Sequence, residues 1–234
     1  MRVAVVVFPG TNCEHDVVHA LDLIGLNPEL VFHRETDLSE FDAVVLPGGF
    51  AHGDYLRTGA IARFSPIMGP VAAMAGSGSP VLGICNGFQV LCEAGLLPGA
   101  LVANRDLAFI CRPIHLRVEN TRSVLTAGAT AGDVLRIPLN SYEGNYVASH
   151  ETIRALEAND QILLRYCDAA GNVTDQANPN GSVNNIAGVS NKAGNVAGLM
   201  PHPERAVESV LGSTDGIELL RSLPAFADLV ANRR

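Results

Sequence analysis

The chain has 234 residues, 47% of them hydrophobic and 17% charged, against about 25% charged in typical soluble proteins, so its composition excludes disorder and supplies a large core. Its 16 basic and 24 acidic residues leave a formal net charge of -8, and Lys192 is the only lysine. With no basic run or patch, neither a nucleic acid nor an anionic membrane surface is an expected partner.

The first apolar run, Val3 to Phe8, reads as a strand and stops at Pro9-Gly10. It is too short for a signal-peptide core or a membrane span, so the expected location is the cytoplasm. Val17, Val18, Leu21 and Ile24 follow with helical spacing. On that helix His15 and His19 stand at i and i+4, superficially as in the HExxH zinc motif. Asp16 reaches less far than a Glu and no third ligand stands out, so the pair reads as a solvated face and no metal is expected. Glu29 to Phe32 and Ala43 to Leu46 are the next strands. The latter runs into Pro47-Gly48-Gly49-Phe50, whose freed amides suit an oxyanion hole, although a bare Pro-Gly-Gly is otherwise only a turn.

The most informative stretch follows. The strand Val81 to Ile84 leads directly into Gly83-Ile84-Cys85-Asn86-Gly87 and then a helix carrying Phe88, Gln89, Leu91 and Cys92, with Gly95 as its stop. This is the pattern of a nucleophile elbow with Cys in place of Ser. A sharp strand-to-helix turn leaves no room for side chains on either flank of the nucleophile, hence the glycines. Cys85 would stand at the carboxyl edge of the sheet and at a helix N-terminus, where the dipole favours a thiolate, with the Asn86 amide as a second oxyanion donor. Spacing alone also allows a buried, inert Cys.

The alternation of buried strands and helices predicts a doubly wound α/β fold with a mostly parallel sheet flanked by helices. Beyond Ala108 the stretches Phe109 to Val118, Ile162 to Tyr166 and Val183 to Ser190 read as antiparallel or mixed strands added to that sheet. Glu151 to Ala158 and Gly216 to Leu223 read as helices, and no linker or repeat divides residues 1–234, which are expected to form one domain. A last strand, Val196 to Leu199, enters Met200-Pro201-His202-Pro203-Glu204-Arg205. In an extended segment, positions two apart point the same way, so His202 and Glu204 face one site with the carboxylate holding the imidazole. Alone, this is equally a surface loop with an incidental His; beside the elbow, each motif supplies the partner the other lacks. Five cysteines, an odd number without CxxC, do not make a disulfide framework, and Cys13, Cys92, Cys111 and Cys167 are expected to be dispensable for the chemistry. No Gly-rich phosphate loop with Lys is present.

These residues together resemble the triad-type, class I, glutamine amidotransferase family. The stretches Phe8 to Cys13, Gly53 to Arg57, Asn178 to Ser182 and Met200 to Arg205 are similar to those of the glutaminase subunits of phosphoribosylformylglycinamidine synthase, and the similarity covers nearly the whole chain. The resemblance implies hydrolysis of L-glutamine to glutamate and ammonia through a thioester, with Cys85 as nucleophile, His202 as general base and acid, and Glu204 orienting His202. It implies oxyanion amides from Gly49 and Asn86, a substrate contact from Gln89, and further pocket residues in Gly48, Phe50 and Phe109. It also implies partners: a synthetase subunit that binds ATP and Mg and aminates formylglycinamide ribonucleotide in purine biosynthesis, and a small accessory subunit, with no cofactor in this chain. An amidotransferase serving another synthetase, or a stand-alone Cys hydrolase, is the alternative. One departure stands out: Asn140-Ser141-Tyr142-Glu143-Gly144 lies where the family usually reads Ala-His-Gly-Glu-Gly, so Ser141 replaces a His.

Overall fold

The computed structural model describes residues 1–231. Its strands and helices follow in the order β1 (Arg2–Val7), α1 (Glu14–Leu23), β2 (Asn27–Phe32), β3 (Ala43–Leu46), α2 (Met68–Ser77), β4 (Val81–Ile84), α3 (Asn86–Glu93), β5 (Ala100–Val102), β6 (Ile110–Val118), β7 (Val134–Ser141), β8 (Asn145–Val147), α4 (His150–Ala158), β9 (Ile162–Cys167), β10 (Ile186–Ser190), β11 (Val196–Leu199), α5 (Gly216–Leu220) and α6 (Ser222–Ala231). Nine strands form one sheet in the order β2-β1-β3-β4-β11-β10-β9-β6-β7, and β5 pairs with β8 in a small ribbon. From β2 to β11 every pairing is parallel. From β11 to β7 every pairing is antiparallel. This is the expected α/β fold with antiparallel strands added by the C-terminal half.

The central strands explain why the sequence reads as it does. Every residue of β3, β4 and β11 is buried, as a strand covered on both faces requires, and helices supply the covers. On α1 the buried residues are Val17, Ala20 and Leu21, the i, i+3, i+4 stripe that turns one helix face to the sheet. By contrast β2 is an exposed edge with only Val31 buried, which tolerates Pro28 because an edge strand has no second ladder to lose.

Helix α2 and strands β5 and β8 are additional to the expected elements, and three further elements depart from the expectation. Val183 to Ser190 is not one strand: residues Val183–Asn185 form a tight 3-10 turn before β10. Asn184 and Asn185 there adopt φ of 50° and 56°, left-handed values that Asn tolerates and a strand does not. Gly216 to Leu223 divides into α5 and α6. Strand β7 was not anticipated, because the turn residues around Gly132 and Asp133 mask a half-buried, alternating strand that pairs along almost its whole length with β6. None of the helices in the described residues is long and apolar enough to cross a membrane.

The elbow glycines are a steric demand. A Cβ on Gly87 would overlap the Leu46 carbonyl of β3, and one on Gly83 would lie 2.7 Å from the Gly87 carbonyl group. Gly76, exposed on α2, would meet nothing within 4 Å. Gly76→Ala is therefore expected to stabilise the protein by about 0.5–1 kcal/mol through the helix preference of Ala, raising the thermal midpoint by a few degrees. Gly87→Ala should lower stability by about 3 kcal/mol or more, since β3 and α3 must separate. Thermal melts of the two variants check this, and a neutral Gly87→Ala would refute the tight elbow.

Candidate active site

The parallel register brings the chain's chemistry to one edge. The segments after β1, β3, β4 and β11 leave the sheet at the same carboxyl end, the usual ligand edge of an open α/β sheet. The antiparallel extension adds the start of β6 and the end of β7 to that edge, and with them Phe109 and Ser141.

Cys85 connects β4 directly to α3 with φ of 51° and ψ of -106°. A side chain in that region costs about 1–3 kcal/mol and persists only when its surroundings impose it. Here the Gly83 and Gly87 contacts do so, and the Cys85 amide is tied to Leu199 O of β11 at 2.8 Å. Its Sγ lies 3.7 Å from Asn140 O.

His202 and Glu204 lie just past β11, side chains buried and Nδ1 2.7 Å from Oε1. The His202 amide donates to Pro138 O of β7 at 2.8 Å, so the antiparallel extension sets the height of the imidazole. Its Nε2 is buried with no hydrogen-bond partner, and it faces the elbow: a Cβ on Gly48 would lie 2.8 Å from His202 Cε1 and 3.4 Å from Cys85 Cβ. Burial opposes a charge on this imidazole, yet the Glu204 carboxylate and the neighbouring sulfurs of Cys85 and Cys13 hold its pKa well above the ordinary value. The structure therefore brings Cys85, His202 and Glu204 together from two separate motifs, an arrangement compatible with a nucleophile, a base and an orienting acid.

The loop after β3 is fixed from behind. Asn12 and Cys13 amides donate to Gly48 O and the Phe50 amide to Gly10 O, at 2.9 to 3.3 Å. Gly49 takes φ of 151°, and a Cβ there would stand 2.7 Å from Thr11 Cα. Asn86, the first residue of α3, contributes one of the amides that a helix N-terminus leaves unpaired. Its side chain ties the same loop: Oδ1 accepts from the Ala51 amide at 2.9 Å, and Nδ2 donates to Gln89 Oε1 at 2.8 Å. Gln89 in turn donates to Glu143 O at 2.6 Å.

A cavity of about 450 Å³ opens over Cys85, lined by Gly49, Phe50, Gln89, Phe109 and His202 among others. Phe50 and Phe109 are about half exposed at its mouth, at 50% and 53%. Gly48 does not line it; this residue backs the triad, where only a missing side chain fits between His202 and Cys13.

Sequence reasoning missed several residues of this site. Cys13, set aside by counting, is buried with its Sγ 3.3 Å from Arg205 Nη2, and its sulfur, with the side-chain ligand atoms of His202 and Glu204, falls within 4.8 Å. The loop Ser141–Gly144 is held by buried amides: Asn104 bonds Ser141 O at 2.8 Å and the Gly144 amide at 3.0 Å, and Asn180 bonds Gly144 O at 2.7 Å. The Asn178 to Ser182 stretch thus braces one wall of the cavity. Ser141 Oγ is itself buried without a hydrogen-bond partner. His15 and His19 are exposed, and His19 Nε2 pairs with Glu208 at 2.9 Å. All five cysteines are free.

The CobB/CobQ-like glutamine amidotransferase domain family matches residues 1–218. The chain belongs to the glutamine amidotransferase family. It is 54% identical over 231 residues to the phosphoribosylformylglycinamidine synthase subunit PurQ of Salinibacter ruber, covering 98% of each chain. It is 57% identical over 230 residues to the subunit of the same name from Chlorobaculum tepidum, covering 98% of this chain and 97% of that one. A chain of the PurLQS structure from Thermotoga maritima superposes with a TM-score of 0.85 at 42% identity, over 97% of this chain and 98% of that one. The sequence resemblance therefore holds over nearly the whole chain, and this glutamine amidotransferase groups with the PurQ subunits of the synthase.

Proposed function

We propose that this amidotransferase hydrolyses L-glutamine to glutamate and ammonia and passes the ammonia to a synthetase. The observation that carries the reading is the strained Cys85 at the elbow beside the buried His202–Glu204 pair. Cys85 Sγ attacks the substrate amide carbon as His202 takes up the thiol proton, and the oxyanion that forms is received by the Gly49 and Asn86 amides. His202 then gives the proton to the leaving nitrogen, the carbon–nitrogen bond breaks, and ammonia departs from a glutamyl thioester. A water attacks the thioester, His202 again taking a proton and returning it to the sulfur, and glutamate leaves. Glu204 holds the imidazole in orientation throughout.

The relatives bear the name of a phosphoribosylformylglycinamidine synthase subunit, and one solved relative is described as a PurLQS structure. On that basis the acceptor is formylglycinamide ribonucleotide, converted to formylglycinamidine ribonucleotide by a synthetase subunit that holds ATP and Mg, with a small accessory subunit, in de novo purine biosynthesis. The chain itself uses no cofactor. Free hydrolysis would waste glutamine, and because one oxyanion donor is worth about 10² to 10³ in rate, a shift of the Gly48-Gly49 loop is a sufficient switch. That loop is bonded to Asn12 and Cys13, so the two segments move together. Glutamine turnover is expected to be weak for the isolated chain and to rise about 10²-fold or more with the synthetase subunits and nucleotide present. Equal rates with and without the partners would refute the switch, and amidine formation by this chain alone would refute the division of labour.

A further inference from the structure

The cavity over Cys85 contains two acidic side chains that the triad chemistry does not use. Asp54, in the left-handed turn after β3 with φ of 52°, and Glu143, between β7 and β8, both line it together with Gln89. Both are partly buried. Among the described residues neither forms a salt bridge: the one guanidinium lining the cavity, Arg205, is bonded to Asp16 at 2.9 Å and to Cys13 at 3.3 Å. Asp54 is instead fixed by a neutral donor, Asn86 Nδ2 at 3.1 Å, and Asn86 is also bonded to Gln89, whose amide is held by Glu143 O. Two partly buried carboxylates on separate loops beside the nucleophile, Asp54 bonded to Asn86 through its side chain and Glu143 to Gln89 only through its backbone carbonyl, lack a cation and are costly to bury. Burial lifts the Asp54 carboxyl to about 6, against the Asn86 hydrogen bond, and repulsion from Glu143 adds to it.

Resting on the glutaminase reading, we propose that Asp54, with Glu143 beside it, receives the α-ammonium group of the substrate and so selects a free α-amino acid over other primary amides. The placement fits the chemistry of glutamine. The side-chain amide must reach Cys85 and the Asn86 backbone, while the Asn86 side chain holds the carboxylate for the other end. A cation between Asp54 and Glu143 converts a repulsive pair into two charge-assisted contacts, and the gain is available only to a substrate that carries it.

The alternative role for Asp54 is to position Asn86, and the two roles separate by substrate. The test measures glutaminase kinetics in the complex with the synthetase subunits, using glutamine and 4-carbamoylbutanoate, which is glutamine with hydrogen in place of the α-ammonium. Asp54→Asn should lower kcat/KM for glutamine by roughly 10- to 100-fold, mainly through KM, as expected for loss of a hydrogen bond to a charged group. The same variant should leave kcat/KM for 4-carbamoylbutanoate unchanged or raised. Glu143→Gln should show the same pattern with a smaller loss. Equal losses on both substrates, or no loss on glutamine, would overturn the assignment and leave the glutaminase reading intact. A wild-type complex that hydrolyses neither amide would overturn the function and the assignment together.

Discussion

Replacing Cys85 by alanine should abolish glutamine hydrolysis, with kcat falling by about 10⁶-fold, the scale on which a triad hydrolase loses rate when its nucleophile is removed. The fold should survive, because alanine meets the same left-handed backbone geometry as Cys85 and deletes only one sulfur, so the melting temperature should stay within a few degrees. Among the described residues the other thiol beside the triad is Cys13, and it stands behind Gly48, held by Arg205 at 3.3 Å. Like Cys85 it precedes a helix, α1, but it does so with an ordinary φ of -106° and is not presented by a strand-to-helix elbow. Cys13→Ala should therefore retain turnover, and an electrophilic glutamine analogue should label wild type and Cys13→Ala but not Cys85→Ala. Cys85→Ser should also be nearly inactive, since a hydroxyl is far harder to deprotonate than a thiol. Persistent turnover or labelling in Cys85→Ala would move the nucleophile to Cys13 and end the triad assignment.

The triad was legible in the sequence because each part is encoded locally. Gly83 and Gly87 report the elbow through the steric limit they obey, and His202 and Glu204 share a face within one short extended segment. The parallel strands were legible for a similar reason: a strand buried on both faces, as β3 and β4 are, must be apolar throughout. What escaped reading depends on distance along the chain. Asp54 and Glu143 are ordinary acidic residues until β7 pairs with β6 and delivers the Ser141–Gly144 loop to the carboxyl edge. Cys13 looks idle until the segment after β1 bonds to Gly48 O. The antiparallel half hides its contribution most, since Pro138 O fixes the His202 amide through a backbone contact that no side chain records.

His202→Ala should reduce kcat nearly as far as loss of the nucleophile, whereas Glu204→Gln should be milder, because the carboxylate orients the imidazole without transferring the proton. In a serine triad, losing the base costs about 2 × 10⁶ in kcat and losing the acid about 3 × 10⁴, and a thiol, being the stronger acid, needs the base less. Both residues are buried, at 2% exposure each, so Glu204→Gln also has an electrostatic consequence. Burial pulls the His202 pKa down, and Glu204 is the largest influence raising it. With the carboxylate neutralised, burial dominates and the pKa falls. The imidazolium that protonates the leaving nitrogen is then lost at lower pH, so the alkaline limb of the kcat/KM profile should move to lower pH in Glu204→Gln. Stability follows the same sign: a raised folded-state pKa contributes stability that is complete below the unfolded value near about 6.5 and is lost as pH rises through the folded value. Thermal melts of wild type should therefore fall with rising pH above neutrality, and those of Glu204→Gln should fall less. An alkaline limb that stays in place or moves upward in Glu204→Gln, or a variant more damaged than His202→Ala, would reverse the roles assigned to the two residues.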